Sequence, residues 1–192
     1  MREIEIKFRV PDLAALNTRL QNLGLKQITP RTHEMDTLYD LPGRPLCAKG
    51  DLLRLRKYGD TWLLTHKARP ANLDGPHKIR VETETRVEDG IKMEAILIAL
   101  QFQPTFRYEK FRAEWSGEKG RVVVDETPIG NFAEIEGPPD WIDKIARDLG
   151  VTPADYITET YAALFFAWKR ESQSPAHEMT FQAVQSAKTL SS

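Results

Sequence analysis

The sequence predicts an α+β, mainly β fold: a closed antiparallel β-barrel, or tunnel, with a charged lumen and helices packed outside. Three observations predict it. Segments of strict apolar–charged alternation recur along the chain, beginning with Glu3, Glu5 and Lys7 against Ile4, Ile6 and Phe8. Strand side chains repeat every two residues, so each such segment has one apolar and one charged face. The charged rows are almost wholly Arg, Lys, Glu and Asp, whereas a solvated sheet face tends to carry Thr, Ser and Gln as well. The helical segments are few and amphipathic, as covers for outward apolar faces must be. Charges turned into an oily core would be ruinous. A closed barrel tolerates them when its lumen holds water, ions and ligand.

The elements follow in order. After the first strand, Pro11 and Asp12 open a helix with Leu13, Leu16, Leu20 and Leu23 as its stripe and Gly24 as its stop. A strand is expected near 25–29 and a second through Asp36, Leu38 and Tyr39, then a turn at Leu41-Pro42-Gly43-Arg44-Pro45. Three strands follow, Asp51 to Tyr58, Thr61 to Ala68 and Lys78 to Val87, with a loop at 69–77. Asp89 caps a helix to about Leu100, and three more strands are expected at 106–116, 120–126 and 131–136. Gly137-Pro138-Pro139 ends the last strand, a helix covers 140–149, Thr152-Pro153 is a cap with a first-turn proline, and a final helix covers about 156–170. From Ser172 the composition turns polar and Ser-rich, so 1–171 is read as one domain and 172–192 as a loosely ordered tail. There is no internal repeat and no second domain.

Composition narrows the classes. The 192 residues suffice for one sizeable core, and the net charge of −1 provides no bulk field for nucleic acid or an anionic membrane. Any anion site must therefore be built by local placement. The single cysteine, Cys47, allows no internal disulfide and fits a reducing, cytoplasmic setting as a packed side chain. A strand pattern from residue 3 leaves no room for a signal peptide, and no apolar run approaches the ~20 residues of a membrane helix.

The charged rows are the candidate site. They are Glu3/Glu5/Lys7, Arg54/Arg56, Thr65/Lys67, Arg80/Glu82/Glu84, Lys110/Arg112, Asp125, and Glu134/Glu136. One such row alone reads as a solvated face; seven in one chain argue for a shared lumen. The bases Lys7, Arg54, Arg56, Lys67, Arg80, Lys110 and Arg112 balance seven acids, Glu3, Glu5, Glu82, Glu84, Asp125, Glu134 and Glu136. A dense balanced lumen is costly without ions. A divalent metal beside the acids and polyphosphate beside the bases resolves it, because hard cations take carboxylate and phosphate oxygens together.

These residues resemble a known family. Glu3-Ile4-Glu5-Ile6-Lys7 is similar to the N-terminal ExExK signature of the CYTH superfamily, the triphosphate tunnel metalloenzymes. The Leu-Arg-Leu-Arg strand at 53–56, Thr65-x-Lys67, Arg80-x-Glu82, Glu109-Lys110-x-Arg112, Asp125 and Glu134-Ile135-Glu136 match in order. Thr160-Tyr161-Ala162-Ala163-Leu164 resembles its late Ser-Tyr-x-x-Leu segment, with Thr in place of Ser. The likeness covers about residues 1–168, and the layout resembles the CyaB-type class IV adenylyl cyclase branch and its thiamine triphosphatase relatives.

The resemblance implies an eight-stranded tunnel that binds a triphosphate with Mg²⁺ or Mn²⁺. It implies Glu3, Glu5 and Glu136 as metal ligands, with Asp125 and Glu134 assisting and Glu82 and Glu84 as further candidates. Lys7, Arg54, Arg56, Lys67, Arg80, Lys110 and Arg112 would bind phosphate oxygens. Glu3, Glu5, Lys67 and Arg56 would be catalytic, in hydrolysis of a phosphoanhydride. The alternatives are cyclisation of ATP to cyclic AMP, thiamine triphosphate hydrolysis, and a non-catalytic polyphosphate- or nucleotide-binding module, against which the retained acids argue. No residue set that reads a purine is evident, and Trp62, Trp115 and Tyr39 fit packing better than a thiazolium site. His33, His66, His77 and His177 show no ligand spacing. A homodimer is implied by resemblance only; neither nucleic acid nor membrane is expected as a partner.

Overall fold

The computed structural model describes residues 2–69 and 78–189. Most of the loop expected at 69–77, including His77, lies outside them. Eight strands form a closed antiparallel barrel: β1 (Arg2–Arg9), β2 (Lys26–Asp40), β3 (Leu52–Tyr58), β4 (Thr61–Ala68), β5 (Lys78–Val87), β6 (Gln103–Ser116), β7 (Arg121–Thr127) and β8 (Gly130–Glu136). Their order around the barrel is β1-β5-β4-β3-β2-β6-β7-β8. The β1–β8 pairing that helps close it sets Glu5 opposite Glu136 and Lys7 opposite Glu134. The helices are α1 (Leu13–Asn22), α2 (Pro45–Lys49), α3 (Gly90–Ala99), α4 (Pro139–Asp148), α5 (Tyr161–Glu171) and α6 (Phe181–Thr189). Among the described residues, no helix is long and apolar enough to cross a membrane.

The capping chemistry works as the residue types dictate. Asp12, Asp89 and Thr160 each accept a first-turn amide, from Ala15 (2.9 Å), Lys92 (3.0 Å) and Ala163 (3.2 Å). Gly24, at φ +80°, follows the end of α1 in the left-handed conformation that glycine adopts freely.

Two cores lie on the outer wall. α1 (Leu16, Leu20) and α4 (Trp141, Ile142, Ile145) bury the outward residues Ile6, Phe8, Val122, Val124 and Ile135. α3 lays Leu97 on Tyr39 and Leu55. Each fully buried aliphatic side chain contributes about 1.5–3 kcal/mol, so these outer faces hold the barrel while its lumen stays polar. Trp115 sits in the first core and Trp62 borders the other beside Tyr39, which bears out their reading as packing residues.

A third core differs in position. Phe106, Tyr108 and Phe132 keep the period-two register of Lys110 and Glu134, so they face inward. α5 packs on them, with Phe165 against Phe106 (5.4 Å between ring centroids) and Tyr161 against Phe132 (5.6 Å). One end of the lumen is therefore apolar and covered by α5.

Three differences from the sequence reading have physical reasons. The strands expected near 25–29 and 36–39 are one long strand, β2, kept continuous by register shifts against β6. The helix expected from 156 starts at Tyr161, because the chain first makes a 3-10 turn at Pro153–Asp155 with a Thr152/Asp155 capping box and then bridges to Lys7. The stretch read as a loose tail is structured through residue 189. Met179 exchanges backbone hydrogen bonds with β6, donating to the Arg107 carbonyl (3.1 Å) and accepting from the Glu109 amide (3.0 Å). The Phe181 amide at the start of α6 donates to Glu109 Oε1 (2.7 Å), and Ala176, Met179, Val184 and Ala187 are buried. A few well-placed apolar residues outweigh a polar average composition.

Candidate active site

Inward residues of seven strands, all but β2, line one cavity of about 180 Å³, among them Glu3, Glu5, Lys7, Arg54, Arg56, Lys67, Glu82, Glu84, Lys110, Arg112, Glu134 and Glu136. It is smaller than the ~300–1,000 Å³ of ordinary small-molecule pockets and suits a compact, highly charged ligand. Beside it, a wider mouth of about 1,050 Å³ is bordered by Glu3, Glu82, Glu84, Arg121 and Glu136, and by the apolar Ile4, Ile28 and Pro138.

The bases gather at the covered end. Lys7 Nζ lies 3.3 Å from Glu134 Oε1, donates to the Glu159 carbonyl (3.1 Å) and sits over the Tyr161 ring. Lys110 Nζ donates to Asp125 Oδ2 (2.9 Å) and lies 3.2 Å from Glu34 Oε1. Arg112 forks onto Asp125 through Nε and Nη2, both at 2.7 Å, and its Nη2 also reaches Glu134 (2.7 Å). Arg56 donates to Asp36 (2.8 Å) and forms an ion pair with Glu34 (2.9 Å), and Arg54 donates to Thr65 (3.3 Å) with Asp36 also at 3.3 Å. Lys67 Nζ bridges Glu3 (2.6 Å) and Glu82 (2.9 Å), at the border between acids and bases. Thr65 donates to Glu84 (2.7 Å).

The acids separate into two kinds. Asp125, fully buried, accepts from Lys110, Arg112 and the Tyr161 hydroxyl (2.7 Å), and Glu134 is likewise held by Arg112 and Lys7. Both are engaged as counter-ions to the bases. Glu3, Glu5 and Glu136 converge, each offering a carboxylate oxygen within 4.8 Å of the others, while Lys67 holds Glu3 and Arg121 Nε donates to Glu136 (2.6 Å each). Burial pushes the Glu136 carboxyl up to about 7; Arg121 draws it back, while Glu134, Glu5 and Glu3 push it further. Three carboxylates thus share two flanking cations, Lys67 and Arg121, and repel one another.

Elsewhere the balance is reached. Burial alone would raise Asp36, but Arg56 and Arg54 hold it well below the usual carboxylate range. Burial disfavours a charged Arg112, yet Asp125, Glu34 and Glu134 outweigh that and raise it further. Burial and then Asp125 push the Tyr161 phenol well above its usual value, so it stays a proton donor.

Of the residues singled out from sequence, Arg80, Thr65 and Asp125 do not line the central cavity: Thr65 and Asp125 are fully buried behind its wall, bonded to residues that do line it, and Arg80 is set apart. Arg80 pairs in register with Glu3, is half-buried, and donates to the Ile79 carbonyl (3.2 Å). Sequence reasoning missed Glu34 and Asp36, both fully buried among the bases, as well as Glu114, Arg121, Tyr58 and Tyr108. The signal for the first pair was present: Glu34 and Asp36 are two apart, like the other rows. His33 pairs with Glu109 outside the barrel (2.6 Å), and no described histidine lines the cavity.

Comparison with known proteins agrees with this geometry. The CYTH domain family model matches residues 1–161. A Methanocaldococcus jannaschii protein provisionally named an adenylate cyclase is 28% identical over 137 residues, 71% of this chain and 77% of that protein. Adenylate cyclase CyaB of Aeromonas hydrophila is 25% identical over 177 residues, 84% of this chain and 87% of that protein. A Hippeastrum structure, described as having a dominant triphosphatase activity, aligns with a TM-score of 0.61 at 19% identity, covering 86% of this chain and 95% of that one. With a family model spanning most of its length and a charged eight-stranded tunnel at its centre, the chain belongs to the CYTH domain family.

Proposed function

We propose that this protein hydrolyses a phosphoanhydride bond of a triphosphate, inorganic or organic, held in the tunnel together with Mg²⁺ or Mn²⁺. One observation carries the reading: in one lumen, the carboxylate trio Glu3/Glu5/Glu136 stands beside the converging bases. The nearly inaccessible lumen groups number five bases (Lys7, Arg54, Arg56, Lys110, Arg112) and six acids (Glu5, Glu34, Asp36, Asp125, Glu134, Glu136). Such a lumen has no surplus positive charge for a polyanion, so the anion needs accompanying cations. The trio fits a hard divalent cation: its donors are all carboxylate oxygens, and Glu136 is crowded by like charge. A cation held there supplies charge neutralisation on phosphate oxygens and an acidified water.

The chain's own groups do the rest. Arg54, Arg56, Lys110, Arg112 and Lys7 bind and orient the phosphate oxygens and stabilise charge as it builds. Glu34, Asp36, Asp125 and Glu134 hold those bases in place. Lys67 reaches the bond being broken from its seat between Glu3 and Glu82. Glu3 or Glu5 takes the proton of the attacking water, the water oxygen bonds to phosphorus, and the P–O bridge breaks to release phosphate.

A second reading, cyclisation of ATP, is favoured by the names of the two sequence relatives and by the room at the mouth, where a nucleoside would sit. Purified protein given inorganic triphosphate, ATP and thiamine triphosphate with Mg²⁺ or Mn²⁺, with phosphate and cyclic AMP both measured, tests the proposal. Phosphate release supports hydrolysis and cyclic AMP supports the rival. Tight binding with neither product leaves a binding module.

A further inference from the structure

Tyr161 reaches the lumen from outside the barrel. It is the first residue of α5, the helix over the apolar end, and with its cap Thr160 it lines the central cavity. Its side chain is buried and held on three sides. The hydroxyl donates to Asp125 Oδ2 (2.7 Å), Phe132 meets the ring edge-on (5.6 Å between centroids), and the Tyr108 ring lies at 6.1 Å. The backbone before it is fastened as well. The Ile157 amide donates to the Lys7 carbonyl (2.8 Å), and the Glu159 carbonyl accepts from Lys7 Nζ (3.1 Å). Two ammoniums rest on this fixed ring: Lys7 Nζ is 4.2 Å and Lys110 Nζ 4.7 Å from its centroid. Both are inside the ~6 Å range over which an aromatic face attracts a cation. At 2% and 1% exposed, they are also the least accessible bases of the lumen, and desolvation strengthens such contacts.

We propose that Tyr161 is a positioning residue, whose ring face holds Lys7 and Lys110 in place for phosphate oxygens without neutralising them. This role rests on the triphosphate reading of the tunnel. Arg112 is oriented by its own planar fork on Asp125. A lysine has no fork; it is a point charge on a flexible stem and needs a wall to fix it. Two ammoniums drawn to one place repel each other. A carboxylate that fully quenched the repulsion would also cancel the charge a phosphate needs. An aromatic face attracts cations through its quadrupole and carries no net charge. Its hold therefore fixes both ammoniums and leaves their charge for the ligand. The hydroxyl adds a third tie, since its acceptor Asp125 Oδ2 is also the acceptor of Lys110. One side chain of the covering helix thus joins Lys7 of β1, Lys110 of β6 and Asp125 of β7 at a single point. Fixing these groups before the ligand arrives lowers the ordering cost of binding it.

The test is pyrophosphate binding to the full chain with Mg²⁺, measured by calorimetry. Wild type and Tyr161→Phe are compared with proteins whose position 161 is filled by phenylalanine bearing one, two or three ring fluorines. Fluorine keeps the ring's shape and drains the negative charge of its face. Packing is thereby held constant while the attraction for the ammoniums fades. Affinity should stay within about 3-fold from wild type to Tyr161→Phe, then fall stepwise by about 10-fold over the fluorinated series. With inorganic triphosphate as substrate the fall should appear chiefly as a rise in KM, the mark of lost binding rather than lost chemistry. A flat series, or no pyrophosphate binding by wild type, would overturn the assignment. So would a Tyr161→Phe protein already about 10-fold weaker, which would assign the effect to the hydroxyl instead of the ring face. Binding that follows the series with no phosphate released upholds the role of Tyr161 and overturns the hydrolysis reading alone.

Discussion

Replacing Asp125 with asparagine separates a counter-ion from a metal ligand. The carboxylate is fully buried and accepts four hydrogen bonds, from Lys110 Nζ (2.9 Å), Arg112 Nε and Nη2 (2.7 Å each) and the Tyr161 hydroxyl (2.7 Å). Asp125→Asn keeps the volume, removes the charge and turns one acceptor into a donor that faces cations. Removing one partner of a buried ion pair costs about 3–5 kcal/mol, against a total stability of about 5–15 kcal/mol. In a chain of this length that lowers the melting temperature by roughly 6–20 °C. Thermal and urea unfolding in metal-free buffer measure it, with Asp148→Asn as the control. That group pairs with Lys144 on the surface (2.7 Å), and its loss should cost only about 0–1 kcal/mol. Added pyrophosphate should stabilise Asp125→Asn more than wild type, since it restores negative charge beside Lys110 and Arg112. Divalent-metal binding should persist. An Asp125→Asn protein within about 1 kcal/mol of wild type, or one that loses metal binding alone, would refute the counter-ion reasoning.

Other expectations follow from single contacts. The folded-state pKa of Glu136, about 7 against an ordinary 4.5, lies above the unfolded one. The folded protein therefore binds that proton more tightly, and stability falls as pH rises from the unfolded pKa through the folded one, by roughly 3 kcal/mol in all. Melting curves of the metal-free protein across this window should show the loss, and Glu136→Gln should flatten it. Asp36 has the opposite sign: its depressed pKa contributes stability above the ordinary carboxylate pKa that is lost as pH falls below it, so Asp36→Asn should weaken the dependence in an acid titration. A Cβ at Gly120 would meet the Glu136 carbonyl at 2.1 Å, a backbone atom that cannot swing aside. Gly120→Ala should cost about 1–3 kcal/mol in urea unfolding and also weaken metal binding by moving Glu136.

Much of this architecture was legible because a barrel with a charged lumen writes its register into the chain. Glu3/Glu5/Lys7, Arg54/Arg56 and Glu134/Glu136 alternate with aliphatics, and a period of two needs no tertiary knowledge to read. Glu34 and Asp36 escaped because β2 was divided near residue 30. Pro30 and the register shifts hide a continuous strand, and the apolar Leu38 interrupts the charged row on the inward face. Arg80 reads like the other rows, yet its guanidinium turns to the Ile79 carbonyl and off the cavity wall, which alternation alone does not encode. The ordered residues 176–187 were hidden for a different reason: their support is long-range, from Glu109 and the β6 backbone. The division of the acids into buried counter-ions and a converging carboxylate trio depends on side-chain distances across strands far apart in sequence.

The central claim, a metal-assisted cut in a triphosphate at the Glu3/Glu5/Glu136 trio, is tested most directly by phosphate release in wild type and Glu5→Gln. Initial rates are compared across a Mg²⁺ and Mn²⁺ titration, with circular dichroism confirming the fold. The account predicts release by wild type only when divalent metal is present, and a fall of about 10²–10³-fold in Glu5→Gln with its metal response shifted to higher concentration. Full turnover by Glu5→Gln, or release that is indifferent to chelator, would contradict it.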